Sequence, residues 1–253
     1  MTNIVMLVRN RLRLTKQAID SLYKHTDPTQ FNLTVIDDES DDFRLIRLLY
    51  KIIDNNHGPA TNATMVVAQH TAHVLSQLKN LGVYWSEQRW GRGDWLCLCD
   101  NDIYFKPGWL EQMIAAATHS FNDKYELLGG QSHPYHLPHE SILRFPLPFK
   151  HGVDRDGSMT YGLLTEHDCL AGTHWFMPWS TWDLYGPLDR TTAPGVCQSE
   201  DYAFTQRIRA SGGRIGVVQP HVVIDTSLTQ TDGQPCPGAA EKRARMVEGV
   251  IYE

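Results

Sequence analysis

The chain has 253 residues, 42% hydrophobic and 21% charged, with a net charge of −6. That balance excludes wholesale disorder and collagen-like repeats, and it argues against a broadly basic surface that coats nucleic acid. A chain of this length can bury a large core without disulfides, and its five cysteines (Cys97, Cys99, Cys169, Cys197, Cys236) show no framework spacing, which favours a reducing compartment.

The opening MTNIVMLVRNR turns basic after a handful of apolar residues and lacks the features of a signal peptide. No apolar run approaches the roughly 20 residues of a membrane span. A soluble, cytoplasmic protein is expected. Residues 3–8 (NIVMLV) read as a buried strand bounded by Arg9-Asn10-Arg11, and Thr15 is placed to cap a helix carrying Ala18, Ile19, Leu22 and Tyr23. Residues 31–36 (FNLTVI) form a second strand running into Asp37-Asp38-Glu39-Ser40-Asp41-Asp42. Leu45, Ile46, Leu48, Leu49, Ile52 and Ile53 give another amphipathic helix. Residues 64–68 read as a third strand, and residues 73–81 as a helix closed near Gly82. Residues 94–99 (DWLCLC) are a hydrophobic strand leading straight into Asp100-Asn101-Asp102.

After a helix over residues 109–117 the regularity fades, and the Gly-, Pro- and His-rich stretch 129–165 reads as a surface excursion. Periodicity returns in a helix over 202–210, stopped by Gly212-Gly213, and in a strand over 214–218. Alternating strands and helices over the first hundred residues predict right-handed βαβ units and a mostly parallel twisted sheet flanked by helices. One α/β domain with a loop-rich second half is the expected architecture.

Two strands end in acid clusters, and in open parallel sheets ligands bind beyond the carboxyl ends of the strands. A D-x-D turn can present two carboxylates to one side, where Mg²⁺ or Mn²⁺ bridges them to substrate phosphates; Asp and Asn are equally at home in a solvated turn. Asp37 and Asp38 either cap the following helix or accept hydrogen bonds from a nucleobase imide or a ribose hydroxyl. Glu200-Asp201, ahead of the helix over 202–210, either complements the helix dipole or supplies a general base.

In this order the segments resemble the GT-A glycosyltransferases of the large inverting family two. VMLVRNR…TKQAIDSLY…FNLTVIDDESDD is similar to the family's opening strand, its Asn-Arg, its first helix and the strand ending Asp-Asp-x-Ser. Asn80-x-Gly82 followed by WLCLCDNDIYFKPGWL resembles its Asn-x-Gly segment and D-x-D strand. GPLD and then SEDYAFTQRIRASGGRIG resemble its Gly-x-x-Asp turn and its Glu-Asp helix. The resemblance covers about residues 3–226 and implies a single GT-A-like domain. In it, residues 1–105 hold the nucleotide, 106–226 hold the acceptor, and 227–253 form a tail.

By that similarity Asp37, beside Asp38, contacts the nucleotide base, with Val8 and Arg9 walling the same pocket. Asp102 holds the metal on the diphosphate, and Asp100 lies near the ribose, the sugar and the metal. Asp201 is the catalytic base, and Glu200 orients the acceptor. The family often has a metal-binding histidine after the strand over 214–218. His221 and Asp225 stand nearest that position here, and Asp225, a competent hard ligand, is taken as the third metal ligand. His174 and Trp175, among the tryptophans Trp175, Trp179 and Trp182, border the implied acceptor site, although core packing also accounts for such residues. The segment between Asn80 and the D-x-D strand carries extra residues (SEQRWGRG), which implies a different loop over the nucleotide.

Other features have plainer readings. His133-x-x-His136-x-x-His139 is interrupted by Pro134 and Pro138 and reads as polar surface loop rather than a zinc site. Cys97-x-Cys99 points two thiols to one face of a strand, as buried core residues. Arg9, Arg11, Arg13 and Lys16 make a basic start to the first helix, with Arg9 best placed to draw in a diphosphate.

The function implied is metal-dependent, inverting transfer of a sugar from a nucleoside-diphosphate sugar, by default a UDP sugar, with Mn²⁺ or Mg²⁺. The acceptor is a hydroxyl on a glycan or on a modified DNA base; the net charge gives the DNA acceptor no help. A nucleotidyltransferase is the alternative, but it would carry a Gly-rich phosphate loop after the first strand, and VRNRLRLT has no glycine. A non-catalytic nucleotide-sugar-binding module is the other.

Overall fold

A computed structural model describes residues 1–55, 62–68, 74–120, 125–130, 147–153, 159–167, 169–189 and 200–226. In chain order the elements are β1 (Thr2–Val8), α1 (Leu12–His25), a 3₁₀ turn (Pro28–Gln30), β2 (Phe31–Asp37), α2 (Phe43–Asn55), β3 (Ala63–Val67) and α3 (Leu75–Trp90). They continue with β4 (Trp95–Asp100), β5 (Ile103–Phe105), α4 (Trp109–Ser120), β6 (Tyr125–Gly129), β7 (Leu147–Val153) and β8 (Met159–Glu166). The last are β9 (His174–Pro178), α5 (Trp179–Tyr185), α6 (Glu200–Ala210), β10 (Arg214–Gln219) and β11 (Val223–Asp225).

Among the described residues one sheet has the order β3-β2-β1-β4-β9-β6-β10-β8-β7, and β11 pairs with β5 in a small second sheet. β9 and β8 run against the other strands of the large sheet, which share one direction. The mostly parallel α/β sheet expected from the sequence is therefore present. β1 is buried along its whole length because both of its faces are covered. Ile4, Met6 and Val8 pack with Ala18 and Leu22 of α1, Leu45 of α2 and Trp109 of α4. Val5 and Leu7 pack on the other side with Leu78 of α3, Trp179 of α5 and Phe204 of α6. Cys97 and Cys99 share the first face, as the alternation along β4 predicts, while Leu96 and Leu98 share the second.

The site is positioned by chain direction. The order β3-β2-β1 runs one way from β1 and β4 lies on its other side, so the connection reverses at β1. In such sheets the crevice opens beyond the carboxyl ends of the strands at that reversal. In register, Val8 pairs with Asp37 and Leu7 with Asp100, so both acid clusters emerge at this one point.

Three expectations are corrected. α1 starts at Leu12, with Arg11 as its N-cap in left-handed backbone; Thr15 lies inside the helix and its hydroxyl donates to the Arg11 carbonyl (3.2 Å). α3 does not stop near Gly82 but continues to Trp90, because Gly82 is a packing position rather than a helix end. A Cβ there would stand 2.3 Å from Val5 Cγ1 and 3.0 Å from Ile36 Cγ1, so the helix approaches β1 and β2 as only glycine allows. The extra residues SEQRWGRG thus form the end of α3 and its exit, not a loop over the nucleotide. Asn3, at the start of β1, bonds Ser86 Oγ (3.1 Å), the Gly91 carbonyl (2.9 Å) and the Gly93 amide (2.8 Å), at the end of the sheet opposite the crevice.

The stretch 129–165 also differs from a plain surface loop: residues 147–153 and 159–166 extend the sheet as β7 and β8. The motif His133-x-x-His136-x-x-His139 lies outside the described residues. The expected stop after α6 is present at Gly212, with φ +79°. Among the described residues no helix is long and apolar enough to cross a membrane.

Candidate active site

A cavity of about 360 Å³ lies at the reversal point, lined by Leu7, Val8, Arg9 and Arg11 from the end of β1 and Asp38 from the end of β2. Leu75 and Leu78 of α3 and Asp100, Asn101 and Asp102 after β4 complete it. The two acid clusters and the basic segment therefore meet in one crevice. Arg9 Nη1 lies 3.4 Å from Asp38 Oδ2, and the Arg11 guanidinium contacts Asp102 Oδ2 directly.

Asp38, not Asp37, lines this cavity. Asp37 ends β2 with 2% of its surface exposed, and its Oδ1 is buried without a hydrogen-bond partner among the described residues. Burial pushes its carboxyl above the usual range, against hydrogen bonds from Ser40. Strand alternation is the reason: consecutive residues at a strand end face opposite ways, so only one of the pair meets the open crevice.

The second constellation is buried behind the first. Lys79, on the inner face of α3, is 1% exposed and places Nζ 2.8 Å from Glu200 Oε1 at the start of α6. Its ammonium also lies over the Trp175 ring, 4.8 Å from the centroid. Burial alone would depress the Lys79 pKa, but the carboxylates of Glu200, Asp100 and Asp201 outweigh it and hold the value above that of an ordinary lysine. Burial likewise pushes Glu200 up, and the charge and hydrogen bond of Lys79 bring it below the usual carboxylate value. Asp201 is shifted the other way. Burial and then the negative charge of Glu200 raise it, against Lys79 and the amides of Tyr202 and Gly172.

The loop before β9 ties the two constellations together. The Asp100 amide donates to the Thr173 carbonyl (3.0 Å), and the Gly172 amide donates to Asp201 Oδ2 (3.2 Å). Gly172 has no room for a side chain, since a Cβ would lie 2.2 Å from Lys79 Nζ and 3.3 Å from Glu200 Oε1. Asn80 anchors the other border: its side chain donates to the Leu188 carbonyl and accepts from the Leu188 amide, both at 2.8 Å. Asn80 and Gly82 are thus one clamp and one close contact on the same helix.

Val8, Arg9, Asp38, Asp100 and Asp102 come together in the crevice, with Glu200 and Asp201 linked to it through Lys79 and Gly172. His174 and Trp175 do not line an open surface. His174 is 2% exposed, accepts from the Gly130 amide at Nδ1 (3.1 Å) and places Nε2 3.6 Å from Cys97 Sγ. Trp175 is fully buried and stacks on Phe204. Both belong to β9 in mid-sheet, so they form floor beneath the site rather than contacts to an acceptor. In β11 Asp225 pairs with Ile103, and Thr226 donates from its amide and its hydroxyl to the Asp102 carbonyl (2.7 and 2.8 Å). That register brings the backbone of Asp225, not that of His221, beside the D-x-D turn.

Arg11 and Lys79 were not singled out from the sequence as site residues. Arg11 is one of four clustered cations, and nothing in that cluster marks the one that bends back. Lys79 did carry a signal, because it shares the i, i+3/i+4 face of Ser76, Gly82, Val83 and Ser86, all buried.

Among the described residues no three His, Cys, Asp or Glu side chains converge into an all-protein metal cage. Two carboxylates lining one crevice nevertheless suit a hard cation that completes its shell with phosphate oxygens, the usual arrangement for Mg²⁺. Asp100 and Asp102 are the residues that would hold it.

Residues 3–125 match the sequence profile described as Glycosyl transferase family 2. No curated protein sequence gives a significant match. Solved structures similar to this chain include GalNAc-T7 with UDP, GalNAc and Mn²⁺, at TM-score 0.65 and 14% identity over 98% of this chain and 47% of the other. A mannosyltransferase from Pyrobaculum calidifontis with GDP-Man and Mn²⁺ aligns at TM-score 0.57 and 12% identity, over 100% of this chain and 64% of the other. S. aureus TarS 1-349 with UDP-GlcNAc aligns at TM-score 0.56 and 16% identity, over 88% and 57%. The chain spans between about half and under two thirds of these proteins. At such identities the likeness shows the fold, which is GT-A as the sequence implied.

Proposed function

We propose that the chain, whose residues 3–125 match the profile described as Glycosyl transferase family 2, is a glycosyltransferase that transfers a sugar from a nucleoside-diphosphate sugar to an acceptor hydroxyl with inversion, using a divalent cation. The observation that carries this reading is the pairing of the crevice at the ends of β1, β2 and β4 with Asp201, a carboxylate shifted upward by burial, tied to it by the Gly172–Thr173 segment, which bonds Asp201 on one side and the Asp100 amide on the other.

Each residue has a task that its surroundings suit. Val8, Arg9 and Asp38 line the nucleoside end of the crevice. The buried Oδ1 of Asp37 is an acceptor that a donor N–H or O–H would satisfy. Asp100 and Asp102 would hold the cation, and Asp225 is the proposed third ligand; when bound, Mn²⁺ or Mg²⁺ would supply Lewis-acid stabilisation of the departing diphosphate. Asp201 removes the acceptor proton as the hydroxyl attacks the anomeric carbon from the face opposite the leaving group. Burial and the neighbouring Glu200 charge raise its basicity, which suits a general base. Glu200, held ionised by Lys79, orients the acceptor and does not compete for the proton. The acceptor hydroxyl is that of a glycan or of a modified DNA base, and a UDP sugar is the default donor.

Substituting Asp201→Asn tests the base directly. Donor turnover is expected to fall by about 10²–10⁴-fold, with donor binding intact. Turnover that survives the substitution shows that Asp201 is not the base.

A further inference from the structure

The turn that leads from β1 into α1 is held in a disfavoured shape. Asn10 and Arg11 both take left-handed backbone, with φ 53° and 59°, where L residues other than glycine are rare. Both acidic strand ends grip this turn. The Asn10 amide donates to Ser40 Oγ (2.8 Å), and Asn10 Oδ1 accepts from the amides of Asp41 (3.1 Å) and Asp42 (3.3 Å). From the other side Asn101 Nδ2 donates to the Asn10 carbonyl (3.3 Å) and to Thr15 Oγ1 (2.7 Å). Backbone strain over-determined in this way concentrates at functional positions.

What the turn achieves is the placement of one cation. Arg11 reaches back into the crevice and its Nη1 contacts Asp102 Oδ2, with 21% of the Arg11 side chain and 10% of the Asp102 side chain exposed. Arg9, two residues earlier, is more open at 38% and sits at 3.4 Å from Asp38. Asp102 is a carboxylate assigned above to a divalent cation, so two positive groups have a claim on the same oxygen atoms.

We propose that Arg11 is a stand-in cation: before a donor binds, its guanidinium neutralises Asp102, and with a nucleoside diphosphate present Arg11 leaves Asp102 for a diphosphate oxygen. The inference rests on the donor reading above. A buried carboxylate is costly to leave bare, so Asp102 needs a positive partner in both states. A guanidinium cannot shed its proton, and its planar fork matches phosphate as well as carboxylate, so the exchange only trades one anionic partner for another. A metal ion arriving alone must break the contact between Arg11 and Asp102 and brings no anion in exchange, whereas a diphosphate brings one. Metal and nucleotide therefore bind cooperatively, each favouring the other by the same factor.

The test is Mn²⁺ titration of the whole chain, read by the electron paramagnetic resonance of free Mn²⁺, with and without UDP or GDP. In the wild type either nucleotide is expected to raise Mn²⁺ affinity by a factor in the usual range for linked sites, about 5–150-fold. Arg11→Met is expected to bind Mn²⁺ alone about five-fold or more tighter and to lose most of that coupling. Arg11→Gln serves as the second neutral variant should Arg11→Met not fold, and Arg11→Lys is expected to keep the weak affinity for Mn²⁺ alone. Unchanged or weaker binding of Mn²⁺ alone in both neutral variants, with the coupling intact, overturns the assignment of Arg11 and leaves the donor reading standing. A wild type that binds neither nucleotide in the presence of Mn²⁺ overturns both.

Discussion

Lys79 Nζ and Glu200 Oε1 lie 2.8 Å apart in the interior, joining residues 121 positions apart in the chain. The pair links α3, which lines the crevice at the strand ends, to the first turn of α6, which carries the proposed base. Its charges are compensated rather than solvated, so the pair is costly to break from one side.

Substituting Lys79→Met is therefore expected to destabilise the fold by roughly 3–5 kcal/mol, because it leaves a buried carboxylate uncompensated, whereas the double change Lys79→Met with Glu200→Leu should recover much of that loss. The pH dependence has a definite sign. Glu200 titrates below its unfolded value in the folded protein, so its contribution is lost as pH falls through the folded value; Lys79 titrates above its unfolded value, so its contribution is lost as pH rises through the folded value. Urea unfolding across pH should show the gap between wild type and double variant narrowing at both extremes.

Asp201 titrates above the ordinary aspartate value, first through burial and then through Glu200. The acidic limb of kcat/KM against pH should accordingly lie above that of a free carboxylate and fall away as Asp201 is protonated. Glu200→Gln removes the neighbouring negative charge and should move that limb to lower pH. A limb that does not respond to Glu200→Gln would show that a different group titrates. For stability the sign is reversed from that of Glu200. A raised folded value contributes stability that is present below the unfolded value and lost as pH rises through the folded one. Asp201→Asn should therefore not lower the Tm at neutral pH.

Two glycines separate packing from the site. At Gly82 a methyl group would meet Val5 Cγ1 at 2.3 Å, and overpacking of this kind costs about 1–3 kcal/mol. Gly82→Ala should lower Tm while leaving the pH profile in place. At Gly172 a methyl group would stand 2.2 Å from Lys79 Nζ, and the Gly172 amide bonds Asp201. Gly172→Ala should lower kcat and shift the acidic limb as well as lowering Tm.

The first hundred residues were the more legible in sequence, for physical reasons. Strands such as residues 3–8 are buried on both faces and so read as apolar runs, and those over 31–36 and 94–99 run straight into acids. The D-x-D turn follows one of them directly. Gly82 misled because glycine ends helices as readily as it allows close approach, and only the contact with Val5 distinguishes the two. Trp175 and His174 misled because an aromatic beside a site reads alike whether it lies under the site or faces into it. Residues 147–153 and 159–166 hid their pairing because β7 is the edge strand, where Pro148 and Gly152 are tolerated, and its register with β8 shifts between Lys150 and Gly152. Lys79 shares a helix face with Ser76, Gly82, Val83 and Ser86, but its partner lies 121 positions along the chain, so that face alone does not announce a buried ion pair.

The most direct measurement is release of nucleoside diphosphate from a panel of UDP and GDP sugars, with and without Mn²⁺, by the wild type and by Asp102→Asn. Mn²⁺-dependent turnover of at least one donor by the wild type, lost in Asp102→Asn, is the expected result. No turnover and no thermal shift with any donor in the presence of Mn²⁺ would contradict the assignment of the crevice to a nucleotide sugar.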